Sequence, residues 1–242
     1  MKCFYEALGA FMNLPCTWAR VADCPPGGPH PQSGSVAIPF PDISMNLEAW
    51  RHYLRGVTLQ RRKRPLQAMD EFRSTLAYDS SFARAAHALA YLLAEDGRDE
   101  EAEYWFREAL RLQPKNAAIW FNLGFFYDRR QRPTDAVEAM SEAVRLDPKL
   151  DTAWYGLGLA LAAQGHHAEA ARAFERAAVL QPMNGEVWYH LGMAHHATGD
   201  DERVKDVARY LNRFDRKMTK SLIVHSGRKD LEHLVADYDP RF

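Results

Sequence analysis

A pattern of apolar and small residues recurs every 34 residues from Ala49 to Met218, and this period constrains the fold more than any other feature of the chain. It is best formed between Asp151 and Asn184. There Trp154, Leu157, Gly158 and Leu161 fall at helical spacing, Gly165 marks a turn, Ala170, Phe174 and Ala177 form a second helical stripe, and Pro182 closes the unit. Five units follow in phase: 49–82, 83–116, 117–150, 151–184 and 185–218.

With places counted from 1 in each unit, the fourth holds His52, Ala86, Trp120, Trp154 and Trp188. The seventh and eighth hold Arg55–Gly56, Leu89–Ala90, Leu123–Gly124, Leu157–Gly158 and Leu191–Gly192. The eleventh holds Leu59, Leu93, Tyr127, Leu161 and His195. In the second helix the twentieth place is Ala68, Ala102, Ala136, Ala170 and Val204, and the twenty-fourth is Phe72, Phe106, Met140, Phe174 and Ala208. Small residues at the eighth and twentieth places let two helices approach closely, and the large ones fill the space between layers. Gly97, Gly165 and Gly199 sit where the chain reverses, a position that favours left-handed backbone. Pro114, Pro148 and Pro182 cannot continue a helix, and Asn116 and Asp151 offer side-chain oxygens to begin the next one.

Trp–Leu–Gly–(Leu/Tyr)–Ala–Phe–Ala–Pro at these spacings resembles the tetratricopeptide repeat (TPR) family. The fourth unit matches at every signature place, and the resemblance covers 170 of the 242 residues. It implies an all-α fold, a right-handed α-solenoid of stacked antiparallel helix pairs (a TPR superhelix) with a C-terminal capping helix. The departures lie at the ends. His52 and Arg55 place polar groups on the first unit, so its outer face is expected in solvent. In the last unit Val204, Val207, Leu211, Phe214, Met218 and Leu222 continue at helical spacing, which predicts one helix running past 218 to about 223. Gly227 is expected to break it, with Leu231, Leu234, Val235 and Tyr238 forming a short helix in the cap, 219–242. Terminal repeats need such covers because nothing stacks on them.

Before the repeats, residues 1–24 carry only Phe4, Leu8, Phe11 and Met12 at roughly helical spacing, too short a helix to be stable alone. Residues 25–44 contain six prolines and read as a semi-extended linker, and translation beginning at Met45 is an alternative reading of this weakly ordered segment. The repeat array then spans 45–218. All three cysteines lie in the first 24 residues, so no disulfide framework holds the body. The formal charge of −1 supplies no global basic field for nucleic acid. No apolar run reaches the ~18 residues of a membrane helix, and Glu6 interrupts the N-terminal apolar stretch, making it a poor secretory signal. A soluble, cytoplasmic protein is expected.

In the TPR family the first helix of each pair lines the concave face, which places the fifth and ninth places of each unit there. These are Tyr53, His87, Phe121, Tyr155 and Tyr189, and Val57, Tyr91, Phe125, Leu159 and Met193. An aromatic and aliphatic stripe on an open face marks a partner site, although a helical stripe also packs as core. Some TPR proteins clamp a peptide's terminal carboxylate with basic and amide side chains. Of the matching places here, Tyr53, Val57, Asn122, Thr152 and Gly156, only Asn122 fits, so an apolar or aromatic-containing segment is the expected ligand. Arg61–Arg62–Lys63–Arg64, before Pro65, reads either as an acidic or phosphate contact or as a solvated turn. His166, His167, His190, His195 and His196 lack a metal-ligand spacing. No nucleophile–base pattern, phosphate loop or paired catalytic carboxylate occurs, which points away from an enzyme and implies no cofactor and no metal. The reading is a protein-binding adaptor, scaffold or chaperone-like module that takes a protein or peptide partner. Self-association or autoinhibition through residues 4–14, and a nucleic-acid-binding solenoid, are the alternatives.

Overall fold

The structure, a computed structural model, describes residues 46–236. The expectations for the Phe4–Leu14 segment, the proline-rich stretch, a start at Met45 and Tyr238 fall outside the described residues. The helices are α1 (Leu47–Arg61), α2 (Pro65–Tyr78), α3 (Ala83–Asp96), α4 (Asp99–Leu112), α5 (Ala117–Arg129), α6 (Pro133–Leu146), α7 (Asp151–Ala163), α8 (His167–Leu180), α9 (Gly185–Ala197), α10 (Asp201–Leu211) and α11 (Arg216–His225). A 3-10 helix, Lys229–Val235, follows. The described residues form an all-α, right-handed solenoid. Helices pair as α1/α2 through α9/α10, each second helix packs on the next first helix, and α3, α5 and α7 touch in succession along one face. Two core clusters run through the stack, joined by Trp120 and Val137, which pack against both.

Local chemistry sets each start and stop. Asn46, Asn116 and Asn184 accept backbone N–H groups at the first turns of α1, α5 and α9. Pro65 and Pro133 occupy the first positions of α2 and α6, where no N–H is needed. Asp151 offers its side-chain oxygen at the helix start as expected, accepting the Thr152 N–H at 2.7 Å, but from one place beyond the cap, which is Leu150. Asp151 is the first helical residue of α7, where its carboxylate takes an N–H from Gln181 and meets the positive helix end. The indoles of Trp120, Trp154 and Trp188 donate to the carbonyls of Pro114, Pro148 and Pro182 at 2.9, 3.0 and 2.9 Å. The signature tryptophan and proline therefore fix the angle at which one pair hands over to the next.

The fifteenth place turns every pair. Gly97, Gly165 and Gly199 have φ of 81°, 80° and 76°, and Lys63 and Gln131 hold the same left-handed backbone at 57° and 58°. The last two accept a cost that glycine avoids.

The two ends of the stack differ from its middle. At the third and seventh places Ala85, Ile119, Ala153 and Val187, and Leu89, Leu123, Leu157 and Leu191, are buried. In the first unit these places are Arg51 and Arg55, both exposed, as expected for the outer face of the first repeat, on which no helix stacks among the described residues. His52 is half-buried instead, its Nδ1 2.6 Å from Glu71 and its ring stacked on Tyr78. At the other end the single helix expected to run to about 223 is two. α10 stops at Leu211, and Asp215 accepts from Met218 N to start α11. Ala208 is too small to cover Gly192, and Leu222 of α11 folds back to do so, its methyl carbon 2.7 Å from where a Cβ on Gly192 would stand. Gly227, at φ 66°, ends this region as expected, and the segment after it is a 3-10 turn in which Leu231 is buried. Arg228 ties it to α10 through the Asp201 carbonyl at 3.0 Å.

Gln131→Gly is expected to raise unfolding free energy by about 1 kcal/mol, and Gly165→Gln to lower it by a similar amount. Urea denaturation of the two variants checks this, and no change in either would refute a left-handed cost at this place.

Candidate functional site

The first helices present the fifth- and ninth-place residues along one face, and the structure gives each a specific setting. Every fifth-place side chain is half-buried. Tyr53, His87 and Tyr155 lean on the twenty-fourth-place ring of their own unit, Phe72, Phe106 and Phe174, at centroid distances of 5.9, 6.1 and 5.9 Å. Tyr53 also meets Phe82 at 4.9 Å, and Tyr155 meets His190 of the next unit at 5.7 Å. Tyr189 is engaged at the end of the row, its hydroxyl 2.8 Å from His225 Nδ1 of α11. The inner edge of each ring thus belongs to the scaffold, and the outer edge faces the open side. Of the ninth-place residues, Val57, Tyr91, Leu159 and Met193 are half-buried, whereas Phe125 is 44% exposed. Phe121 is half-buried beside the second core cluster.

Tyr91, Asn122 and Phe125 come together around a shallow depression between α3 and α5. Asn122 is not free to clamp a carboxylate, because its Nδ2 donates to His87 Nε2 at 2.7 Å. That bond requires a neutral imidazole with its proton on Nδ1. Burial pushes His87 down to about 4, and it also lowers His190. Burial raises Tyr155 to about 12, with Glu186 adding to the shift. His87 and Tyr155 are therefore uncharged near neutral pH, and the charged groups beside the row are Arg84, Glu186 and the Glu95, Arg129 and Arg130 side chains that also line the depression.

A second concavity escaped the sequence reading. Between α8 and α10, with α9 as its floor, lies a cleft of about 780 Å³ lined by Ala178, Val179, Trp188, His195 and Tyr210. Its signal was present in the repeat: the twenty-eighth place is Leu76, Leu110 and Val144 in three units but Ala178 in the fourth, and the eleventh-place apolar residue becomes His195. The rim pairs Arg203 with Glu175 at 2.6 Å. Arg61, Arg62, Lys63 and Arg64 are all exposed at the first turn. Among the described residues no cluster of three metal-ligating side chains occurs, and no helix is long and apolar enough to cross a membrane.

His87 supplies a pH dependence with a definite sign. Its folded pKa lies below its unfolded value near 6.5, so the unfolded chain binds the extra proton and stability falls as pH drops from about 6.5 toward 4. His87→Gln retains a side chain able to bond Asn122 and removes that proton. Thermal melts from pH 7 to 4 are expected to show a shallower loss in this variant, and parallel curves would refute the assignment.

A family model described as the cilia and flagella-associated protein 70 middle TPR-like domain matches residues 95–216, half of the chain, and a tetratricopeptide repeat model matches residues 53–117. No curated protein matches the sequence. Among solved structures, the chain is similar to YrrB, a TPR protein with an unusual peptide-binding site. The two are 20% identical with a TM-score of 0.65, over 76% of this chain and 94% of that one. It is similar to MamA at 17% identity and a TM-score of 0.62, over 76% and 96% of the two chains. The MamA fragment from Desulfovibrio magneticus RS-1 gives 19% and 0.64, over 70% and 96%. These likenesses extend the agreement of fold over 70% to 76% of the chain. With its 34-residue period, its indole-to-proline bonds and its stacked helix pairs, the chain belongs to the tetratricopeptide repeat family.

Proposed function

We propose that this protein is a non-catalytic interaction scaffold that binds an apolar or aromatic-containing peptide segment along its first-helix face. The coarser part, a repeat scaffold for protein interaction, follows from the family. The finer part rests on one observation: the row of half-buried rings at the fifth and ninth places, with Phe125 standing 44% exposed beside Tyr91 and Asn122. A fully covered ring of this kind contributes on the order of 1.5–3 kcal/mol, enough for a few anchors to give a useful affinity. The engaged Asn122 and the absence of a basic clamp on these places favour an internal or extended apolar segment over a charged chain end. YrrB, of the same fold, has an unusual peptide-binding site, which is consistent with TPR faces differing in what they select.

Phe125 is the position to test because it is exposed and lies outside the buried core, its one charged neighbour over the ring being the exposed Arg129. Random peptides displayed on phage and selected on the full chain are expected to converge on sequences with aromatic or branched apolar anchors. Phe125→Asp is expected to weaken the selected peptides at least about tenfold, the loss of one anchor of this size, while leaving the melting temperature nearly unchanged. Selection of charged tails, or undiminished binding by a folded Phe125→Asp protein, would contradict the proposal.

A further inference from the structure

The basic turn of the first unit has an internal counterpart whose ligand is visible. Residues 61–65 read Arg-Arg-Lys-Arg-Pro, and residues 129–133, two periods later, read Arg-Arg-Gln-Arg-Pro. In both units the third residue of the run has left-handed backbone, Lys63 at φ 57° and Gln131 at φ 58°, so the two turns present their arginines alike. In the third unit these arginines close on the turn of the unit before. Arg129 binds Glu95, Arg130 binds Asp99 and donates to the Ala94 carbonyl at 3.0 Å, and Arg132 binds Glu103 at 2.8 Å. Glu95, Asp99 and Glu103 are spaced four residues apart, across the end of α3 and the first turns of α4.

Arg61, Arg62 and Arg64 stand at the same thirteenth, fourteenth and sixteenth places, and they are exposed, with no helix before α1 among the described residues. Around them, residues 51–64 hold six cations (Arg51, Arg55, Arg61, Arg62, Lys63, Arg64) and no acid, in a chain whose net charge is −1, and of these Arg51 is paired with Glu48 at 2.7 Å. A polar cap is what any solenoid end needs, but a cap of mixed sign would serve that purpose as well. A run of one sign, in the register that elsewhere grips carboxylates, does more.

We propose that the first turn is an open copy of the clasp between the second and third units, and that it docks an acidic junction between two helices of a protein partner, as the α3–α4 turn around Gly97 does inside the stack. The partner presents carboxylates at four-residue spacing, as Glu95, Asp99 and Glu103 do. Two features favour protein over other polyanions. The corresponding third- and seventh-place faces of all later units are covered by a helix of the preceding unit. Exposed Leu47 and Leu54 lie on the same side of α1 as Arg51 and Arg55, a mixed stripe that matches an amphipathic helix and offers apolar contacts that a run of phosphates would not use. The difference from the internal clasp is the seat of the arginines: Arg129, Arg130 and Arg132 lie over Phe125, Phe126 and Tyr127, and the first unit has Val57, Thr58 and Leu59 there. The open copy is therefore the weaker one, suited to a reversible contact.

The chain carries its own probe. A fluorescein-labelled synthetic peptide of residues 93–112 contains the three acids, and in the full chain the internal clasp is already filled. Anisotropy titrations are expected to show binding that weakens with salt. Replacing Arg61, Arg62 and Arg64 by glutamine in the full chain is expected to weaken it about tenfold, as three modest charge pairs would. The same loss is expected with Glu95→Gln, Asp99→Asn and Glu103→Gln in the peptide. These side chains of the full chain are exposed, and an unchanged melting curve confirms that the triple variant is folded. No binding to the unaltered chain, or equal binding by the triple variant or by the carboxylate-free peptide, would overturn the proposal. So would tighter, equally arginine-dependent binding of oligothymidylate or of phosphatidylserine vesicles, since the turn would then be a general anion patch.

Discussion

The stack depends on one contact repeated with variation: the large twenty-fourth-place side chain lying over the small eighth-place residue of its own unit. A Cβ on Gly56, Gly124 or Gly158 would stand 2.6, 2.8 or 2.5 Å from Phe72, Met140 or Phe174, closer than atoms can come. The absence of a side chain at these places is what lets the two helices of a pair close. The same large side chain reaches the next unit. Met140 lies 2.8 Å from where a Cβ on Gly156 would be, and Phe174 stacks on His190 with centroids 5.7 Å apart. One residue per unit thus welds helix to helix and unit to unit. A local substitution there is felt at two interfaces.

The rest of the architecture follows from keeping that contact in register. The indole-to-proline bonds set the angle between units, and the left-handed fifteenth place returns the chain in a fixed number of residues. Where the contact fails, the structure changes course. Ala208 cannot cover Gly192, so α11 turns back at Asp215 and supplies Leu222. The capping helix is therefore a repair of the repeating contact with a residue from outside the period.

What could be read from the sequence, and what could not, divides along the range of the interaction. The pairing of Trp154 with Gly158, of Phe174 with Ala170, and the stop at Pro182 are written within one period, and repetition made them legible. Leu222 was placed on a continuous helix because its spacing fits one. Helical spacing carries no sign of the tight turn at 212–215, which depends on Asp215 finding an N-terminus to cap. Asp151 looked like a cap because its side chain can serve as one, but its neighbour Leu150 holds that backbone position. The clasp of Arg129, Arg130 and Arg132 on Glu95, Asp99 and Glu103 joins residues about one period apart, and only the stacking brings them together. The first-helix face was legible as a stripe of residue types. Which edge of each ring is spent on packing was not, since it depends on the neighbouring unit.

The proposed functions rest on residues that the repeating contact does not use. Phe125 is exposed at the edge of its unit, and the arginines of the first turn are exposed where those of the third unit are paired. The account as a whole stands on the eighth-to-twenty-fourth contact, and a double-mutant cycle at Gly158 and Phe174 measures it most directly. Phe174→Ala alone is expected to cost about 3–5 kcal/mol from the cavity it leaves, and Gly158→Val alone about 1–3 kcal/mol from overpacking. In the double variant the valine side chain enters the space vacated by the ring, so the combined loss is expected to fall short of the sum by about 1–3 kcal/mol. Strict additivity would mean that the two residues do not hold each other, and would contradict the account.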